Sequence, residues 1–489
     1  MKYILPENRE QYKMLNCLDD MVKGDNPIRI IDIMIDEIIS SNPEIFLEPN
    51  NGDVGRPKYS PSTMLKLYIY GYLHGISSSR KLEEQTKKNI EIIWLLGNLT
   101  PDHWTISNYR KENIEQIKFI TKKFINFLTD NKYIEGKTVA IDGTKIKANA
   151  CKEMLSYKTL EKKINLTNEK IEEYLKKLNE NDFIEELEEE YKQSVIGDEG
   201  INDYLVKKIS DLQEEISRLK QHKEDMETEG TKTISQTDRD AKLMRSREGK
   251  IPAYNVQLAV DEKNKMIIDT EVVNEENDVN QLYEMMKSIE EESGIVPEEI
   301  IADKGYYNPE LIEKVEGEGI KCYIPVPKTQ HDKEEIKFTY NSEKNQYECS
   351  EGRELILKSR NKNRRGRLAD VYQGKYCTDC LKKGICTKAK HGRIIHRYKD
   401  QQERESYKIK MKEYLSKTKI LLRKTIVEHP IGTIKCLMGK IPLKLRGTKK
   451  VSSEIDLYRT AYNLKRLINL EDFEYLTSLM LEYKWKSRL

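Results

Sequence analysis

The sequence predicts an α/β protein, a mixed sheet flanked by helices and preceded by an all-α segment. Three observations carry this. Over residues 1–135 apolar positions recur at helical spacing, with helix-start signals between them. From Thr138 onward, short apolar runs replace that pattern, at 138–141, 254–260, 266–273, 300–302 and 322–326. Helical stretches around 278–292 and from about 400 onward lie between and after those runs, so the sheet has helices available to cover its faces. At 489 residues the chain is too long for one ordinary core, and two to four domains are expected.

Taken in order, Ser60-Pro61 marks a helix start, the serine capping and the proline in the first turn. Leu65, Tyr68 and Tyr72 then share one face. A second short helix follows Ser77–Ser79 and carries Arg80 and Lys81. Thr100-Pro101-Asp102 opens another, and Ile106, Tyr109, Ile117, Ile120, Phe124 and Leu128 continue the spacing. A helix-turn-helix DNA reader and a plain helical bundle fit this pattern equally. The run Thr138–Ile141 reads as a strand ending in Asp142-Gly143. Residues 156–230 are acidic and helical, with Leu205, Ile209, Leu212, Ile216 and Leu219 in register; a break at Gly197–Gly200 makes them an antiparallel helical hairpin, either a spacer or an oligomerisation arm. Tyr254–Val260 and Met266–Val273 form a β-hairpin through Asp261–Lys265. The run Ile300–Ala302 stops at Asp303, and Cys322–Val326 is a further strand. Residues 341–399 read as irregular, basic and cysteine-bearing, and helices return from 400 to 470, before a tail at 471–489.

Net charge is only +2, with 34% charged residues against 37% apolar. That average hides an asymmetry. Residues 353–489 hold about 35 Lys/Arg against about 14 Asp/Glu, whereas 155–230 hold about 12 against about 21. A C-terminal region this basic favours a polyanionic partner, because every phosphate neutralised releases counterions; a soluble lysine-rich surface would read the same way. Eight cysteines in so long a chain are no disulfide scaffold. No uncharged apolar run reaches membrane-spanning length and the first residues lack an apolar leader, so a cytoplasmic protein without a membrane partner is expected.

Two of the apolar runs end in an aspartate followed closely by glycine: Ile141-Asp142-Gly143 and Ala302-Asp303-Lys304-Gly305. Carboxylates at neighbouring strand ends repel unless a cation lies between them, and Mg²⁺ (or Mn²⁺) is the natural occupant because it takes hard oxygen ligands and keeps open positions. Glu428 supplies a third carboxylate, bracketed by Arg423-Lys424 and Lys435. Strand-terminal Asp-Gly is also ordinary turn chemistry, and Lys424 with Glu428 also fits a surface ion pair on one helix face. From these residues alone both readings stay open.

The segments Val139–Lys145, Ile301–Tyr306 and Ile426–Gly432 resemble the two aspartate blocks and the glutamate block of insertion-sequence DDE transposases. The glutamate block of that family is written Y-x2-R-x3-E-x6-K. Glu428 and Lys435 fit its spacing, while Leu421 stands in the tyrosine position and Lys424 in the arginine position, with Arg423 adjacent. Gly55-Arg56-Pro57-Lys58-Tyr59, Leu67–Tyr72 and Gly75–Arg80 resemble the transposase InsH-type N-terminal domain, and Pro101-Asp102-His103 with Thr105-Ile106 continue the match. The blocks Thr237–Ala241 and Tyr254–Gln257 also resemble this group and read as structural.

The resemblance implies a ribonuclease H-like core over 136–340 and 400–470, interrupted by the hairpin at 156–230 and preceded by a DNA-binding helical domain at 1–135. It implies Asp142, Asp303 and Glu428 as Mg²⁺ ligands and a two-metal phosphoryl transfer that cuts DNA and joins the freed 3′-hydroxyl to a target. The partner is then double-stranded DNA, both the terminal repeats and the target, with a homodimer or larger assembly holding two ends. Arg56, Arg80, Lys81 and Arg110 are candidate DNA contacts, as are Arg423, Lys424 and Lys435. An inactive DNA-binding regulator and a stand-alone nuclease of the same fold are the alternatives. Cys377-Thr378-Asp379-Cys380 with Cys386 gives C-x2-C-x5-C, and Cys349 lies one hairpin upstream. Four thiolates make a closed tetrahedral site, so a small structural Zn²⁺ module is expected there. Cys17, Cys151, Cys322 and Cys436 read as buried hydrophobes.

Overall fold

The computed structural model describes residues 17–46, 57–151, 154–189, 199–246, 249–327, 336–364, 367–377, 379–398, 401–437 and 443–486. Seven helices come first: α1 (Ile28–Ser41), α2 (Pro43–Phe46), α3 (Pro61–Leu73), α4 (Ser79–Lys88), α5 (Ile90–Leu95), α6 (His103–Glu112) and α7 (Ile114–Asp130). The start of α3 follows from its sequence. Ser60 Oγ accepts the Thr63 N–H at 3.2 Å, and Pro61 takes the first turn, where a missing N–H costs nothing. Asp102 caps α6 likewise, accepting from the Thr105 N–H at 2.8 Å. Every residue of α3 from Thr63 to Gly71 and Tyr72 is buried, so it is a central helix and not an amphipathic surface one.

The chain then enters β1 (Thr138–Lys147) and makes an excursion. The short strands β2 (Met154–Ser156) and β3 (Thr233–Ser235) pair at its base, and between them run α8 (Tyr157–Glu189) and α9 (Glu199–Glu229). These two helices are antiparallel: Tyr157 Oη donates to Glu227 at 2.8 Å, and Lys223 pairs with Glu161 at 3.1 Å. Ile171, Ile209 and Ile216 pack between them.

The main sheet continues through β4 (Lys242–Ser246), β5 (Gly249–Asp261), β6 (Ile267–Val273), α10 (Gln281–Ser293), β7 (Glu299–Ala302), α11 (Pro309–Gly317) and β8 (Lys321–Tyr323). Its order is β4-β5-β1-β7-β8, with β6 also paired to β5. β5 is antiparallel to β1, β4 and β6, whereas β1-β7 and β7-β8 are parallel. The sheet is therefore mixed, as expected. One boundary differs. β1 does not stop at Ile141 but runs on to Lys147, because Gly143–Lys147 pair with Gln257–Ala253 of the long β5. Asp142 thus lies inside a strand.

Residues 338–398 are not irregular. They form a five-stranded antiparallel meander, β9 (Phe338–Asn341), β10 (Gln346–Cys349), β11 (Glu354–Arg364), β12 (Arg367–Gly374) and β13 (Ile394–Tyr398), with the single turn α12 (Lys383–Cys386) before the last strand. Tyr347, Leu355, Tyr372 and Ile395 give it a core of its own.

The C-terminal helices are α13 (Gln401–Lys410), α14 (Tyr414–Leu437), α15 (Thr448–Leu470) and α16 (Phe473–Glu482). α15 packs against β6 on one side and against α3 and α7 on the other. One hydrophobic core consequently runs from α1 through the sheet to Trp485. Charged groups inside it have partners of opposite charge or backbone N–H donors. Arg459 meets Asp269 at 2.7 Å and Asp456 at 3.0 Å, and Glu454 accepts the Lys444 and Leu445 N–H groups. Among the described residues no helix is long and apolar enough to cross a membrane. Cys322 is buried as expected, but Cys17 and Cys151 are exposed, since neither falls on a core-facing position; the Cys436 side chain lies outside the described residues.

Candidate active site

Parallel pairing between β1 and β7 runs from Thr138–Glu299 to Ile141–Ala302. The next residue on each strand is Asp142 and Asp303. The apolar runs are held rigidly inside the sheet, so the two carboxylates emerge side by side where the parallel ladder ends. Asp303 bends back to accept the Gly305 N–H at 2.6 Å and caps the turn Lys304–Tyr306. Asp142 accepts from the Gly143 N–H at 3.1 Å and from Arg423 of α14 at 3.1 Å. Burial pushes the Asp142 carboxyl up to about 6; Arg423 opposes that shift and Asp303 adds to it.

Behind the aspartates, β5 places two fully buried amides, Asn255 and Gln257, opposite Lys145 and Gly143. Gln257 Oε1 accepts from the buried Tyr306 hydroxyl, which turns its Nε2 toward Asp278, 2.8 Å away. Asn255 Nδ2 donates to the same Asp278 oxygen at 2.7 Å. Burial and the three nearby aspartates, Asp278, Asp142 and Asp303, hold the Tyr306 hydroxyl well above its usual range, so it remains a donor. Asp278, Asn255, Gln257 and Tyr306 were not expected at this site. Asn255 and Gln257 stand out as amides at alternate positions of a mostly apolar strand, and they and Tyr306 fall within the family-like blocks, whereas nothing in the sequence marks Asp278.

α14 lies against β1, β5, β7 and β8, and the residue it turns toward Asp142 is Arg423. Glu428, five residues on, is about 140° further round the helix and is exposed. Lys424 and Leu421 are exposed on that same flank. No ion pair or hydrogen bond joins Glu428 to either aspartate, and among the described residues no three acidic, His or Cys side chains lie close enough together to hold an ion as they stand. Lys435 is in the last turn of α14, its side chain outside the described residues.

Residues 224–464, which include Asp303 and Glu428, match the family described as "Transposase DDE domain", and residues 16–112 match "Transposase domain (DUF772)". The chain belongs to the insertion-sequence DDE transposases. Asp142 lies between the two matched segments. No curated protein matches the chain. A cryo-EM structure of the piggyBac transposase synaptic complex with hairpin DNA is similar at a TM-score of 0.31 and 10% identity, covering 93% of this chain and 79% of that one. A likeness that loose carries no argument here.

The remaining expected residues of the transposase fall into four groups. Arg80 and Lys81 are exposed in the first turn of α4. Arg56 lies outside the described residues. Arg110 is corrected: it is 2% exposed, donates to Tyr72 Oη at 2.8 Å and the Ser77 carbonyl at 3.0 Å, and sits 3.7 Å from Glu454. A guanidinium spent on internal partners and closed off from solvent does not reach DNA. The four cysteines Cys349, Cys377, Cys380 and Cys386 line one small pocket at the end of the meander. The Arg353 N–H donates to Cys349 Sγ at 3.3 Å. Gly374 makes room for Cys377, since a Cβ there would stand 2.2 Å from its Sγ.

Proposed function

We propose that this transposase binds the ends of its element, cuts DNA there, and joins the freed 3′-hydroxyl to target DNA. The observation that carries the reading is the pair of aspartates set side by side where β1 and β7 part. The strand order and directions around that point support a ribonuclease H-like core, which reads β6-β5-β1-β7-β8 with β1 at the centre.

Asp142, Asp303 and Glu428 would hold Mg²⁺ or Mn²⁺. The donors fit: they are hard oxygens, and burial together with the neighbouring Asp303 charge raises the Asp142 carboxyl, a cost that a cation would relieve. When bound, two such ions activate the attacking oxygen and steady the leaving one. The protein's own work is positional. Arg423 lies beside Asp142, where a guanidinium can donate to either a carboxylate or a backbone phosphate. Glu428 joins the aspartates only through a turn of α14, and Pro430 supplies a weak point, because it removes one helix hydrogen bond just after Glu428. Attack by water on a phosphodiester frees the 3′-hydroxyl, and attack by that hydroxyl on a target phosphate displaces a second 3′-oxygen.

DNA contacts fall to Arg80, Lys81, Lys424, Lys435 and Arg56. Arg80 and Lys81 occupy a helix N-terminus, where cations are disfavoured by about 0.3–1 kcal/mol, so helix stability does not explain them. The four pocket cysteines are thiolate donors of the kind a structural Zn²⁺ takes, and drawing together around one would tie β10 to the loop after β12. Assembly as a dimer or larger holds two DNA ends.

The deciding experiment supplies purified protein with element ends and target DNA. Asp142→Ala is expected to bind ends as the parent does but neither cut them nor join pre-cut ends. Joining by that variant at parental rate would sink the assignment.

A further inference from the structure

Asp278 is an acidic residue outside the expected triad, in the turn between β6 and α10. Its Oδ1 is held by two amides, Asn255 Nδ2 and Gln257 Nε2, and Gln257 is itself oriented by Tyr306. Two donors on one oxygen fix the plane of the carboxylate. They leave Oδ2 on the side of Asp303: a Cβ on Gly305 would stand 2.7 Å from Asp303 Oδ1 and 3.5 Å from Asp278 Oδ2. On the other flank, a Cβ on Gly143 would stand 2.6 Å from Asp278 Oδ1 and 3.1 Å from Asn255 Oδ1. The glycine that follows each of the two aspartates therefore makes way for the same third carboxylate.

A second observation points to a ligand. Asn255 is fully buried, yet its Oδ1 has no hydrogen-bond partner. Leaving a buried acceptor unpaired costs about 1–3 kcal/mol. This orphaned oxygen sits beside Gly143 and next to Asp278, where a cation or its coordinated water would satisfy it.

We propose that Asp278 is a fourth carboxylate of the divalent-metal site, with Asn255 and Gln257 holding its Oδ1 so that Oδ2 faces the ion. This rests on the metal-binding reading given above. The competing role is a plain anchor for the turn before α10. Asp278→Asn separates the two, since its amide oxygen still accepts both hydrogen bonds but the negative charge is gone.

Two measurements test it on the full-length protein, with and without end DNA: Mn²⁺ binding followed by the resonance signal of free Mn²⁺, and backbone scission by Fe²⁺-generated hydroxyl radicals. Scission is expected near residues 142, 303 and 278 in the parent. Asp278→Asn is expected to weaken Mn²⁺ binding about tenfold or more at unchanged melting temperature. Parental Mn²⁺ affinity in Asp278→Asn, or scission confined to 142 and 303, overturns the inference while the metal-site reading stands. No Mn²⁺ binding and no scission in the parent overturns both. Should Asp278→Asn fail to fold, the parent's scission pattern decides.

Discussion

At the level of single residues, Asp142 is the most informative. Its carboxyl is raised to about 6 by burial and by Asp303, against about 3.9 for a free aspartate. A metal competes with the proton, so metal-dependent cutting should rise with pH through about 6 and then level off, as a pH-rate profile will show. For the metal-free protein the sign is reversed. The folded state holds this proton more tightly than the unfolded chain does, so its contribution to stability increases as pH falls from above 6 toward 4. Chemical denaturation of Asp142→Asn without metal should lose that dependence. That Asp142 and Asp303 each follow a buried strand run was legible from the apolar residues before them, whereas their reading as metal ligands rests on the family resemblance. Asp278 was not, because in Asn274-Glu275-Glu276-Asn277-Asp278 it looks like any polar turn. Arg110 misled for the opposite reason: an arginine near helix-start signals looks like a DNA contact, whereas Tyr72, Ser77 and Glu454 enclose it.

Among elements, α14 and the cysteine meander differ in how far their sequences speak. In α14 apolar residues occur all round, with Leu415 and Leu421 exposed and Ile426 and Val427 buried. The pattern establishes a helix but not which side faces the sheet, so Arg423 and not Glu428 meeting Asp142 could not be foreseen. In the meander, Lys358, Arg360 and Lys362 lie exposed along β11 while the inner side mixes tyrosines with Leu355 and Ile395, and that composition hides the alternation. A chelator that removes Zn²⁺, or Cys377→Ser, should lower the melting temperature of this module by several degrees, with released metal measured alongside. Unchanged melting and no metal released would exclude the zinc assignment. At α4, Arg80→Ala with Lys81→Ala should weaken binding of element ends and reduce the salt slope of log affinity by about 1–2, as salt-titrated binding curves will report.

At the scale of the whole molecule, helices before the sheet and helices after it were each legible, but their fusion was not. The join depends on α15, whose polar residues Glu454, Asp456 and Arg459 are all buried, so its composition does not mark it as a central helix. Glu454 ties α15 to α3 and α6 through Tyr72 and Arg110. Glu454→Ala leaves the Arg110 guanidinium enclosed without its counter-charge, a loss of about 3–5 kcal/mol expected in urea denaturation. The shared core has a further consequence. Under the proposed function, the helices that would grip DNA and the carboxylates that would cut it share one hydrophobic core, so the molecule would work as a fixed ruler. Base pairs inserted between the gripped sequence and the scissile bond should shift where the nick falls by the same number of nucleotides, because the shared core would hold the two at a constant separation.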